Sequence, residues 1–258
     1  MLGIRKDGST ALTGEMRSSL RDQITTYCGA TEKTDTEEID PQSNAEIVDY
    51  KTEENKMHFL TVAHDVICPW CWVAWRQGKQ LREEFPMLEL RWVGYELLPE
   101  GLPYTPTPPD PNAAIKPRVP SRFDLLLTTE RLTLPVRTRD RSVSRLALEG
   151  AEFAYELEGT TKAEAYLDAL YHAYWEESQD IADRSVLNSI ATKAGLNIES
   201  FAEALDTHVY RSQVIEYDDP AHDAGVWNVP TWMFPEEWIA EQPYSVIREF
   251  ATRFLKEI

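Results

Sequence analysis

The sequence predicts an α/β fold in which a β-α-β half and a β-β-α half are separated by a large helical insertion. Three patterns predict it. Residues 58–96 pass from strand-like to helix-like and back to strand-like patterning, residues 121–221 carry apolar positions at helical spacing, and residues 229–258 hold two short β-rich runs followed by one amphipathic segment. At 258 residues, with eight Trp, eleven Tyr and eight Phe, the chain has ample material for a packed core.

Residues 1–56 stand apart. They are rich in Thr, Glu, Asp and Ser, run through Thr31-Glu32-Lys33-Thr34-Asp35-Thr36-Glu37-Glu38, and suggest a helix only between Glu15 and Tyr27. Such composition builds little core, so an acidic, flexible N-terminal extension is expected. The other reading makes Met57 the true start of the protein.

From Met57 the elements follow in order. His58 to Ile67 reads as a β-rich run, and Trp72, Trp75, Lys79, Leu81, Arg82 and Phe85 suit a helix closed by Pro86. Residues 87–96 alternate as a second strand, which a right-handed crossover would place parallel to the first. Eight of the sixteen prolines lie between Pro99 and Pro120, a density that excludes helix and central strand and predicts an extended loop. Within the helical block, Val143, Leu146, Ala147, Ala151, Ala154 and Tyr155 share one face, as do Ala165, Leu167, Leu170, Tyr171 and Tyr174. Thr161 with Glu164 reads as a capping box, Asp183 to Ala194 stops at Gly195, and Asn197 caps a helix through Leu205. The chain closes with a strand at Val229–Phe234, a turn at 235–237, a short strand near Trp238-Ile239 and a helix from Tyr244 to Lys256.

The chemistry is concentrated in Cys68-Pro69-Trp70-Cys71. Two thiols three positions apart at a strand-to-helix junction have the spacing in which a disulfide is made and broken. Cys68 falls at the helix N-terminus, where unpaired N–H groups and the helix dipole favour a thiolate. Pro69 suits the first helical position, whose N–H has no partner within the helix. Cys71, one turn on, is the resolving thiol. His64 and Asp65 are either proton acceptors for Cys71 or simple strand-end polar groups. Trp70 is expected to stand exposed between the thiols, whereas Trp72 and Trp75 are expected to pack the helix. Cys28 reads as a bystander.

Asp65-Val66-Ile67-Cys68-Pro69-Trp70-Cys71-Trp72, Glu96-Leu97-Leu98-Pro99, Ala224-Gly225-Val226-Trp227-Asn228-Val229-Pro230-Thr231-Trp232 and Gln242-Pro243-Tyr244-Ser245-Val246-Ile247 together resemble the DsbA-like thioredoxin family, FrnE branch. That branch is related to the 2-hydroxychromene-2-carboxylate isomerases and the kappa-class glutathione transferases. The resemblance spans Met57 to Ile258. It implies a thioredoxin fold with a large helical insertion: a thioredoxin-like domain of residues 57–98 and 222–258, interrupted by a Pro-rich loop and helices over 99–221. It also implies roles. Cys68 would be the nucleophile, Cys71 its resolving partner and Pro230 a cis-proline facing them, while Pro69, Trp70, Val229 and Thr231 would meet the substrate, Val229 through its backbone. Two departures stand out: the hairpin between Trp232 and Gln242 is short, and Trp227-Asn228 replaces small residues before the Val-Pro.

The expected activity is thiol-disulfide exchange through Cys68 and Cys71 with a protein or small-molecule thiol or disulfide. No bound cofactor is expected beyond that redox-active pair, and glutathione is a candidate co-substrate. A glutathione-dependent isomerase or transferase and a redox-inactive binding protein are the alternatives. A zinc site is disfavoured because His58, His64, His172, His208 and His222 show no paired spacing. A formal charge of −18 argues against nucleic acid or an anionic membrane as partner. Three cysteines, no signal-like apolar run and no membrane-length segment give the expectation of a cytoplasmic, reducing setting.

Overall fold

The computed structural model describes the backbone of two short strands near the N-terminus and, in full, residues 57–99, 119–138, 142–216, 226 and 228–256. The expectations for Cys28, for the helix at Glu15–Tyr27 and for most of the Pro-rich loop lie outside the described residues. The short strands, β1 (Gly3–Ile4) and β2 (Thr10–Ala11), form an antiparallel ladder of their own.

The main sheet has five strands in the order β5-β4-β3-β6-β7: β3 (His58–His64), β4 (Leu88–Glu96), β5 (Ile215–Glu216), β6 (Thr231–Met233) and β7 (Trp238–Ala240). β3 and β4 pair in parallel over seven residues, from His58 against Leu88 to His64 against Gly94. Between them runs α1 (Pro69–Glu84), which buries Cys71, Trp72, Val73, Ala74, Trp75, Gln77, Gly78 and Leu81. On the other side of β3, β6 pairs antiparallel and then turns into β7. Both strands of that hairpin are three residues long, in keeping with the short sequence between Trp232 and Gln242. The chain ends in α7 (Tyr244–Lys256), whose Phe250 and Phe254 pack on Phe234.

The insertion contributes α2 (Arg122–Glu130), α3 (Arg145–Phe153, continued by a π-helical turn at Ala154–Glu158), α4 (Thr160–Trp175), α5 (Arg184–Lys193) and α6 (Ile198–Thr207). Asn197 caps α6, as its sequence predicts, and Asp183, the first residue of the expected span, caps α5. Three local expectations change. Thr161 and Glu164 make no capping box, because α4 begins at Thr160, two residues before a helix capped by Thr161 would, behind Gly159, whose φ of 85° suits glycine, and Glu164 pairs with Arg82 instead. The capping box lies at α2, where Ser121 and Asp124 bond reciprocally. Finally, Ile215–Glu216, inside the span expected to be helical, pairs in parallel with Tyr95–Glu96 and widens the sheet.

α3 is held to the sheet by buried charge as well as apolar packing. Arg145 meets Glu96 at 2.5 Å, and Arg91 meets Glu152, which also accepts the Gly94 amide at 3.2 Å. Leu148 packs so closely over Gly94 that a Cβ there would come within 2.9 Å of it.

Candidate active site

The site begins where β3 stops. The predicted strand ran to Ile67, but it ends at His64 because Asp65 folds the chain into a turn. Its Oδ1 accepts the Ile67 amide at 3.2 Å and its carbonyl accepts the Cys68 amide at 3.1 Å. Cys68 leaves that turn in extended conformation (φ −80°, ψ 123°) as the N-cap of α1, with Pro69 at the first helical position. The Cys68 carbonyl accepts the Trp72 amide at 3.1 Å, which starts the helix. Three residues on, Cys71 lies on the same helix face as Cys68, and the two sulfurs are within hydrogen-bonding reach.

Cys68 is therefore at a helix start, as the sequence implies, but no helix amide donates to its sulfur. Its S–H donates to the Val229 carbonyl at 3.4 Å. The Val229–Pro230 peptide is cis, and both residues are buried beside the motif. The pairing of Thr231 with Ala63, and of Ala63 with Val93, fixes this placement, since it lays the segment entering β6 alongside the segment leaving β3. Thr231 is buried and its hydroxyl donates back to the Asn228 carbonyl, tying the loop.

The thiols differ in environment. Cys68 keeps 5 % of its surface and Cys71 keeps none. Burial, reinforced by the neighbouring Cys68, pushes the Cys71 thiol well above its ordinary range, while the Asp65 amide, donating at 3.5 Å, works the other way. The Asp65 carboxyl is fully buried, which raises it from 3.8 to about 6 despite hydrogen bonds from Leu97 N (2.8 Å), Ile67 N and Ser144 Oγ (3.1 Å). His64 next to it is lowered to about 3, by burial and then by Arg91, so it is neutral at physiological pH. Its Nδ1 is 2.9 Å from the Tyr171 hydroxyl, and Tyr171 stacks on Trp75.

Helices of the insertion close the site from two sides. Trp175 Nε1 donates to the Val66 carbonyl at 2.8 Å. Trp70 is half-buried against Phe123 of α2 (ring centroids 4.9 Å), with the Arg122 guanidinium 5.8 Å from its ring, which corrects the expectation of an exposed Trp70. Trp72 and Trp75 are packed, as predicted.

Thus Cys68, Pro69, Cys71, Val229, Pro230 and Thr231 converge on one locus, with Trp70 at its covered edge. Sequence reasoning missed Ser144 and Tyr171, which reach the site from 79 and 107 residues away. The one signal in their favour was a serine immediately before a helical repeat, and that signal points to capping rather than to a site. Among the described residues, no group of three or more His, Cys, Asp and Glu is placed to hold a metal ion, and no helix is long and apolar enough to cross a membrane.

A family model described as a DSBA-like thioredoxin domain matches residues 60–242. The uncharacterized protein YwbO of Bacillus subtilis (strain 168) is 28% identical over 181 residues, covering 67% of this chain and 85% of its own length. Among solved structures, a probable DsbA oxidoreductase, SCO1869 from Streptomyces coelicolor, superposes with a TM-score of 0.56 at 21% identity, over 78% of this chain and 91% of that one. The cytosolic disulfide reductase DsbM from Pseudomonas aeruginosa, solved with GSH, gives 0.51 at 20% identity, over 77% and 99%.

Proposed function

This chain belongs to the DSBA-like thioredoxin domain family, and from that premise we propose that it is a thiol-disulfide oxidoreductase working through Cys68 and Cys71. The observation that carries the reading is the asymmetric pair itself: two sulfurs in mutual reach at the start of α1, the outer one facing the Val229 carbonyl and the inner one fully buried against Asp65.

The chemistry runs in two balanced steps. Cys68, releasing to solvent the proton it shares with the Val229 carbonyl, attacks one sulfur of a substrate disulfide as the thiolate, forming a mixed disulfide while the other substrate sulfur leaves as a thiolate that takes a proton from solvent. Cys71 then gives its proton to the Asp65 carboxylate and attacks Cys68 Sγ. The mixed disulfide breaks, the second substrate thiolate leaves, and Cys68–Cys71 is oxidised. The reverse sequence transfers the disulfide to a substrate dithiol.

Only Cys68 retains any surface, which makes it the sulfur that meets the substrate. With a buried thiol held up by burial, the inner cysteine needs a nearby base, and Asp65 is an ionisable group whose amide already touches that sulfur. The Val229 carbonyl and the buried cis-Pro230 form the wall against which an extended substrate segment would lie, with Trp70 and α2 as its rim. The presence of two cysteines favours exchange over a glutathione-dependent isomerisation or transfer. Glutathione is the first electron donor to try, in a cytoplasmic setting.

Reduction of insulin or of a synthetic disulfide, followed in the wild type and in Cys68→Ser, tests the proposal. Activity should vanish in the variant; exchange that survives in Cys68→Ser sinks the mechanism.

A further inference from the structure

Ser144 occupies the N-cap of α3, the position where a serine hydroxyl ordinarily accepts an amide hydrogen from its own helix. Here it does not. Its backbone is helical (φ −95°, ψ −8°), its side chain makes no capping bond, and the residue is completely buried. The hydroxyl instead donates to Asp65 Oδ2 at 3.1 Å, across 79 residues of sequence and from the insertion into the thioredoxin half.

The groups around Asp65 show why one donor matters. The Asp65 main-chain amide reaches Cys71 Sγ of α1 at 3.5 Å, Cys71 and Tyr171 of α4 lie within electrostatic range of its carboxyl, and main-chain amides from Val66, Ile67 and Leu97 donate to it. The adjacent His64 is neutral, and Arg145, next to Ser144 in α3, is turned to Glu96 at 2.5 Å. None of these supplies a positive charge to the carboxylate. Among the described residues its ionised form is sustained by hydrogen-bond donors, and Ser144 is the one side chain among them.

We propose that Ser144 is a positioning residue of the exchange reaction, through which the helical insertion holds the Asp65 carboxylate ready to take the Cys71 proton. This rests on the oxidoreductase reading above and adds to it a route by which the docking of α3 governs the resolving step. An insertion that shifts away from the sheet withdraws the donor and slows resolution without touching either sulfur.

The test uses the full chain and two readouts. The Asp65 carboxyl is titrated by pH-difference infrared spectroscopy, with Asp65→Asn as the blank. The pH dependence of the resolving step is followed by single-turnover decay of a mixed disulfide. Deleting the donor in Ser144→Ala should move both midpoints upward by about one pH unit, because the lost bond favoured the ionised form. Ser144→Thr, which keeps the hydroxyl, should restore them. Ser144→Gly serves as a second deletion should the alanine chain fail to fold.

Midpoints that stay at the wild-type value in a folded, donor-deleted chain overturn the role of Ser144 even where exchange is normal. A wild-type chain that exchanges no disulfide instead overturns the activity itself. The infrared midpoint then still reports whether Ser144 controls Asp65, so the two failures are told apart.

Discussion

Replacing either of two neighbouring buried residues should expose a compensation hidden in the wild type. The Asp65 carboxyl is raised from 3.8 to about 6 in the fold, and the His64 imidazole is lowered from 6.5 to about 3. Each contributes to stability with opposite sign between pH 7 and pH 4. Asp65 binds its proton more readily folded than unfolded, so its contribution is fully present below 3.8 and is lost as pH rises through 6. His64 binds its proton more readily unfolded, so its contribution is present above 6.5 and is lost as pH falls toward 3. At 1.36 kcal/mol per unit, going from pH 7 to pH 4 gains about 2.4 kcal/mol from Asp65 and loses about 3 kcal/mol through His64. The pair therefore cancels to within about 1 kcal/mol, and the wild type should show little pH dependence from this locus.

Asp65→Asn should remove the gain and leave a chain that loses about 3 kcal/mol between pH 7 and pH 4. His64→Gln should remove the loss and leave one that gains about 2 kcal/mol. Urea unfolding at both pH values, each chain first compared with itself and that change then set against the wild type's, cancels the fixed cost of the substitution and the titration of distant groups common to all three chains. An Asp65→Asn protein whose pH dependence matches that of the wild type would refute the argument, since it would mean that the carboxyl titrates alike in the folded and unfolded chains.

Two further outcomes follow from the same geometry. Cys71→Ser should still attack a substrate disulfide but should stall at the mixed disulfide, seen as a persistent adduct by mass spectrometry under non-reducing conditions; a chain that turns over normally would show that Cys71 is not the resolving thiol. Gly150→Ala places a Cβ at 2.5 Å from the Tyr166 hydroxyl and 2.8 Å from Phe201 at the packing of α3 on α4 and α6, so it should cost about 1–3 kcal/mol in thermal or urea unfolding, and an unchanged midpoint would show that the three helices yield without penalty.

Much of this fold was legible because it is written in local periodicity. The run from His58, the helix opened by Pro69 and closed before Pro86, and the terminal helix from Tyr244 each follow from apolar spacing and stop signals within a few residues. The convergence of Cys68 with Val229-Pro230 was not local; it came from likeness to a family, since no pattern in residues 224–232 points to residue 68. Other features had no local signal at all. Asp65 ends the strand with its side chain, while its sequence neighbours continue a β-rich pattern. Ile215–Glu216 is too short to announce itself and becomes a strand because β4 offers an unpaired edge. Trp70 is covered because α2 places Phe123 over it, and Thr161 could not cap a helix that Gly159 had already allowed to begin.

The position of β3 in the sheet carries a consequence for how the polypeptide is made. One side of β3 is satisfied early, by β4 less than forty residues away, but the other waits for β6, where Thr61 pairs with Met233. During synthesis that second side stays an open template until residues 231–233 have left the ribosome, and closing it requires a contact of very long sequence separation. The helices of the insertion, built from short-range contacts, can assemble meanwhile. Nascent chains arrested before residue 231 therefore display a bare, apolar ribbon edge, and they are the species on which chaperones and aggregation would compete.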